Sequence, residues 1–155
     1  MHVATNYKDV FDHANDAIFI HDELTGAILD ANRMASNLTG FSVEQLRQMR
    51  VGDISARHRG CDDSGAVAWL QRAIHEGPQL FEWWLCRPDG SDVPIEVNLK
   101  HIISDGNPRV ISLVRDIRER KEAEQRLVAR EAHYRRLIGS ISDGIAILDR
   151  MGQVR

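Results

Sequence analysis

The chain holds only two cysteines in 155 residues, and they do not form a Cys-x-x-Cys pair. Cys61 and Cys86 lie far apart, so they read as two reduced thiols of a cytoplasmic protein and not as a disulfide framework. The seven histidines include no pair at zinc-ligand spacing, which leaves no structural metal site to expect. There is no glycine-rich phosphate loop and no Gly-x-Ser-x-Gly elbow, so kinase or hydrolase chemistry has no candidate residues in this stretch, and it is not expected to be an enzyme. The adjacent carboxylates Asp62 and Asp63 are explained by helix N-capping. No apolar run approaches the length that spans a bilayer, and no signal peptide is expected in residues 1–16. A net charge of −3 offers no basic surface, so neither nucleic acid nor a membrane surface is an expected partner.

What is present is an ordinary globular composition, 43% hydrophobic and 28% charged, and an internal repeat. Tyr7, Val10-Phe11, Asp16, Ile18-x-Ile20 and Asp22 recur at one constant offset as Tyr134, Leu137-Ile138, Asp143, Ile145-x-Ile147 and Asp149. A repeat this long marks tandem domains, not a solenoid of short units. The expected organisation is one complete module over 1–118, a helical linker over 119–133 and the start of a second module over 134–155. The chain is then a piece of a longer protein, with an output domain beyond Arg155.

Local signals divide the first module. Tyr7, Val10, Phe11 and Ala14 make the stripe of a short amphipathic helix. Ala17–Asp22 and Ala27–Ala31 read as strands around a Thr25-Gly26 turn. Asn32–Leu38 is a short helix ended by Gly40, and Ser42-Val-Glu-Gln45 is a capping box that starts another. Residues 51–61 are polar and irregular. A longer helix follows Asp62, with Val67, Leu70, Ala73 and Ile74 on one face, and Gly77-Pro78 ends it. Strands Leu80–Arg87, Val93–Ile103 and Arg109–Ile117 are separated by turns at Asp89-Gly90 and Asp105–Pro108, which makes them antiparallel neighbours. The sum is an α+β domain: a five-stranded antiparallel sheet with short helices on one face.

Beyond Asp116 the chain turns mostly charged. Ala123, Leu127, Tyr134, Leu137 and Ile141 repeat at about 3.5 residues, with Arg120 and Arg130 on the same seam. This predicts a long C-terminal helix in a two-stranded coiled coil; the alternative is a solvated helix packing on its own domain. On the third strand, alternation places Phe81, Trp83 and Leu85 on one face and Trp84 on the other. An outward tryptophan needs a cover. Either the opening helix or a partner's copy of it supplies one, or loops of the same domain do.

Several segments together resemble PAS sensory domains with their PAC extension. They are Asn15-Asp16-Ala-Ile-Phe-Ile, Gly26-Ala-Ile-Leu-Asp30-Ala-Asn32-Arg-Met-Ala35, Leu38-Thr-Gly40-Phe-Ser-Val-Glu-Gln-Leu46, the Phe81–Ser91 hairpin, and Val114-Arg-Asp116-Ile117-Arg118-Glu119-Arg120-Lys121. The likeness covers Tyr7 to about Arg120 and restarts at Tyr134. It implies a PAS fold followed by a long signalling helix, in a bacterial-type signalling protein. It also implies a signal-sensing, dimerising input module for a kinase or cyclase, with Asp116, Ile117 and Arg118 at the junction that passes the signal on. Relatives of this kind bind haem, flavin, small carboxylates or fatty acids, or nothing, in a pocket between sheet and helices. One departure stands out: Arg118 occupies the place where the family's closing motif usually has threonine. The family's Asp–Thr hydrogen bond therefore cannot be assumed, and Asp116 is free to pair with an arginine.

Inward-facing positions plus the family's pocket location give the expected lining: Phe19, Asn32, Met34, Leu38, Leu46, Ile54, Trp69, Leu70, Ala73, Trp83, Leu85, Val97, Leu99 and Ser112. Asn32 and Ser112 are the expected polar anchors, and few charges point inward, which suits a small apolar or neutral ligand. Haem and flavin are not expected. His75 stands at a helix end without a haem signature, and the stretch Met49–Ile54 lacks the cysteine of the photochemical flavin class. A ligand-free dimerisation module is the alternative, with the tryptophans filling the space. The expected homodimer uses Tyr7, Val10, Phe11 and Trp84 on the sheet side and Leu127, Tyr134 and Leu137 on the helix.

Overall fold

In the computed structural model the backbone is described for residues 7–150 and the side chains for residues 8–141. The order is α1 (Tyr7–His13), β1 (Ala17–Asp22), β2 (Ile28–Ala31), α2 (Arg33–Thr39), α3 (Val43–Leu46), single turns at Val51–Ile54 and Arg57–Arg59, α4 (Asp63–Glu76), β3 (Gln79–Cys86), β4 (Asp92–Ser104), β5 (Asn107–Asp116) and α5 (Arg118–Arg150).

The punctuation residues act as their chemistry dictates. Asn32 caps α2 by accepting from Ala35 N, and Gly40 ends that helix at φ 81°, where a Cβ would be strained. Ser42 and Gln45 form the reciprocal capping box of α3. Asp62 caps α4 by accepting from Gly65 N. Five antiparallel strands pair in the order β2-β1-β5-β4-β3. The first strand therefore sits beside the last, with Phe19 opposite Ser112 and His21 opposite Val110. That register sets the inward side chains of β1 against those of β5 at the centre of the sheet. Each sheet edge meets another segment of the chain at one end, β2 through the Ala27–Arg50 bridge and the Ile28 N to Met49 O bond beside it, β3 through a Ser55–Leu85 bridge and the Ala56 N to Trp84 O bond.

The chain divides into two compact units, Met1–Arg118 and Glu119–Arg155. In the second, Leu127, Tyr134, Leu137 and Ile141 are each half exposed or more, and Glu131 pairs with Arg135 at 4.0 Å. Residues 145–147, the repeat's counterparts of Ile18–Ile20, are helical here, whereas Ile18–Ile20 lie in β1.

The surface expected to receive a partner needs correction at Phe11. It is only 7% exposed, and its carbonyl accepts from Asn32 Nδ2 at 2.8 Å. The residue is part of its own module's core beside α2, so it is not free to fill a partner's surface. Val10 is exposed, and the Tyr7 side chain lies outside the described residues. Trp84 is half buried, with the Arg59 guanidinium 3.7 Å from its ring centre. Its cover comes from a turn of the same module, so it presents no bare indole face to the opening helix.

Candidate functional site

An interior cavity of about 50 Å³ lies between α4, the Val51–Ile54 turn and the inner face of the sheet. Of the residues expected to line a pocket, Phe19, Ile54, Trp69, Leu70 and Trp83 do so, as do Leu85, Val97, Leu99 and Ser112. Five others are elsewhere. Asn32 is fully buried and wholly engaged: Oδ1 accepts from Ile18 N and Ala35 N, and Nδ2 donates to the carbonyls of Phe11 and Asp16, all at 2.8–3.0 Å. It ties α1, β1 and α2 together and has no capacity left for a ligand. Leu46 and Ala73 are packed into the solid core. Met34 and Leu38 face a separate groove at the end of the sheet.

The cavity also takes in His21, Val51, Ala66, Phe81, Ile95 and Val114, which the pocket reading omits. The alternation Ala17, Phe19, His21 on β1, and Phe81, Trp83, Leu85 on β3, already carries the signal for two of them.

His21 is the least ordinary of these. It is 4% exposed, and its Nε2 lies 2.8 Å from Ser112 Oγ. Burial pushes its pKa down to about 4, with the backbone of Gly26 pulling more weakly the other way. A neutral imidazole is the result near pH 7. Its ring stacks near Phe19, centres 6.0 Å apart at 14°. The wall is otherwise almost wholly apolar, and Trp83 Nε1 is already satisfied by Ser55 Oγ at 2.9 Å. At the margin between α4 and β3, the half-buried Trp69 and Phe81 rings stack 4.0 Å apart at 5°, and Arg72 lies over Trp69 at 4.8 Å. These aromatics take up much of the interior. At about 50 Å³ the space is well below the roughly 300 Å³ at which drug-sized ligand pockets begin.

The second feature is the point where the sheet gives way to α5. Ile117, between β5 and α5, is 3% exposed and its N–H bonds to Pro94 O at 3.1 Å. Arg118 N donates to Asp116 Oδ1 at 2.9 Å, and the Arg118 guanidinium grips the same carboxylate through Nε and an Nη at 2.6–3.1 Å. Desolvation raises the Asp116 pKa, but the Arg118 hydrogen bonds and charge together outweigh it and hold the carboxyl below its usual range. The arginine in the place of the usual threonine thus takes Asp116 by a fork-shaped ion pair. Beside it lies a groove of about 330 Å³ that includes Asp16, Met34, Leu38, Arg87, Arg115 and Arg118.

His75 is exposed and lies 3.2 Å from Gln71, away from the cavity. Burial raises the Cys61 thiol pKa, the opposite of an activated nucleophile. Among the described residues no cluster of histidine, cysteine and carboxylate side chains is placed to hold a metal ion. None of their helices is long and apolar enough to cross a membrane.

The PAS domain family model matches residues 15–119. A methyl sulfide methyltransferase-associated sensor of Methanosarcina acetivorans is 28% identical over 145 residues, covering 94% of this chain and 13% of that protein. Sporulation kinase E of Bacillus subtilis is 28% identical over 141 residues, covering 90% of this chain and 18% of that one. The chain thus spans less than a fifth of either curated relative. A solved domain of a sensory box sensor histidine kinase/response regulator from Geobacter sulfurreducens superposes with a TM-score of 0.60 at 28% identity, covering 71% of this chain and 90% of that one.

Proposed function

The chain belongs to the PAS domain family, and from that premise we propose that it is the sensory input module of a larger signalling protein, acting as a homodimer. The observation that carries this is the join of β5 to α5. A single buried residue, Ile117, separates the strand that borders the cavity from a helix whose apolar seam is open to a partner. Ser112 and Val114 on β5 line the cavity, and Asp116, two residues on, is clamped to the first residue of α5. A change in the cavity that shifts β5 is then passed to Leu127, Tyr134 and Leu137, and repacking of that seam between two copies is the output step. The output domain is a histidine kinase or a cyclic-di-GMP enzyme in the same chain. The names of the relatives, a sensor and a kinase, favour the kinase of a two-component system. The module works in the cytoplasm, and the internal repeat supports a linker over 119–133 with a second PAS domain from 134, although residues 145–147 are helical where the repeat calls for a strand.

Asp116→Ala in the full-length parent tests the junction. The Asp116–Arg118 pair is half exposed, so its loss should cost no more than about 1 kcal/mol and leave the module folded. Signal-dependent output should fall about tenfold, within the usual span of coupling between sites. Full signal response in a folded variant would refute the junction role. A collapse in melting temperature would make Asp116 merely structural.

One observation favours a second reading. The cavity is small because Trp69, Phe81 and Trp83 fill much of it. A ligand-free module, whose work is dimerisation and geometry, needs no more room than that.

A further inference from the structure

The cavity has one polar corner, and its chemistry restricts what fits there. Apart from two indole N–H groups, His21 and Ser112 carry the polar side chains of the wall. Nε2 of His21 and Oγ of Ser112 share one hydrogen bond, while Nδ1 of His21, in a buried side chain, makes no hydrogen bond of full geometry, and only the weaker pull of the Gly26 backbone reaches the ring. Both tautomers leave something unused. If Nε2 donates to Ser112, Nδ1 presents a bare lone pair and the serine hydroxyl can still donate. If Ser112 donates to Nε2, Nδ1–H is left with no more than the weak contact to the Gly26 backbone. A buried polar group left in this way is costly, and a ligand that satisfies it gains accordingly.

Charge is excluded by the rest of the wall. It holds no lysine, arginine, aspartate or glutamate. A carboxylate or ammonium group there would lose its water and meet no counter-charge. Size is restricted as well. About 50 Å³ leaves room for on the order of three or four non-hydrogen atoms, since one water-sized site needs roughly 10–15 Å³.

We infer that the cavity takes a neutral molecule of that size, an apolar body bearing one hydroxyl-like group, and that His21 and Ser112 select it. The inference rests on the reading of the module as a sensor and names the class of molecule sensed. Trp69 and Phe81, stacked between α4 and β3, and Val51 are the half-buried parts of the wall, and it is there that the molecule would enter.

Three probes of nearly one shape test it: 2-propanol, acetate and isopropylammonium, each titrated into the intact chain and followed by amide and indole NMR shifts. 2-Propanol should shift signals of His21, Ser112 and Trp83 in a saturable way. The two charged probes should bind at least tenfold more weakly. Ser112→Ala and His21→Leu should each weaken 2-propanol by about tenfold; if the histidine variant does not fold, the serine variant alone decides. Equal responses to the three probes, shifts scattered over the surface, or unchanged 2-propanol binding in a folded variant would overturn the inference. The molecular mass of the same samples is read in parallel, so a failure of the ligand class is distinct from a failure of the dimeric-module reading.

Discussion

Replacing Asn32 by alanine should remove about 4 kcal/mol of folding stability, an effect far larger than the loss of a ligand contact would have. The side chain is fully buried, caps α2 and makes four hydrogen bonds. Truncation strands the N–H groups of Ile18 and Ala35 and the carbonyls of Phe11 and Asp16. Each typical hydrogen bond contributes about 1 kcal/mol net, and a buried group left unpaired costs about 1–3 kcal/mol. Some of these groups sit near enough to the surface to find water, which holds the total near the lower end. Asn32→Asp keeps both acceptor bonds but sets a carboxylate against two carbonyls, so it should be no better than alanine. Urea unfolding of the two variants is the check. A loss below about 1 kcal/mol would show that these four bonds do not hold α1, β1 and α2 together.

Stability should also fall by about 2 kcal/mol as pH drops from 8 to 5, because of His21. Its folded pKa is about 4 and its ordinary value is 6.5. A histidine kept neutral by burial favours the native state above pH 6.5. That advantage drains away as the unfolded chain takes up its proton, and the loss is complete near pH 4. A shift of this size amounts to about 3 kcal/mol in all, at about 1.4 kcal/mol per pH unit. The carboxylates held low, Asp22, Asp92 and Asp116, lose their share only at more acid pH, nearer their unfolded value of 3.8, so they add little to the slope between pH 6.5 and 5. His21→Gln keeps a polar group beside Ser112 but cannot titrate in this range. Denaturant midpoints measured across the window should slope clearly less for that variant than for the unaltered chain. Equal slopes would show that the proton enters elsewhere.

These two residues mark where the sequence was legible and where it was not. Element boundaries were readable because local chemistry sets them. Gly40, the Ser42–Gln45 box and Asp62 act within three or four residues of chain, and the structure uses each as its residue type implies. The inward face of each strand was readable for the same reason, since alternation is a local property. The position of the cavity along that face was not. Asn32, Met34 and Leu38 belong to the region where α1 and α2 meet the start of β1, and the register of β1 on β5 moves the open space toward His21 and Ser112 instead. That register pairs residues about ninety positions apart, and no local pattern contains it. His21 itself was visible by alternation from Phe19, but a histidine on a strand is usually solvated. Only burial between β5 and α4 makes it a neutral part of the wall.

Phe11 teaches a similar lesson. The stripe Val10-Phe11 is equally consistent with an intramolecular and an intermolecular partner, because periodicity reports an apolar face without saying what covers it. The Asn32 side chain, reaching the Phe11 carbonyl, is what fixes α1 to its own module. Leu127, Tyr134 and Leu137 on α5 are exposed instead, and it is there that the proposed dimer places its second copy.

Sedimentation equilibrium of the intact chain at micromolar concentration, alongside its Leu137→Glu variant, is the most direct test of a dimeric input module. The account predicts twice the 17.6 kDa chain mass for the unaltered protein, and a folded species of one chain mass for the variant, since a buried glutamate in the seam has no partner. A single chain mass for the unaltered protein, or an undiminished dimer in the variant, would contradict it.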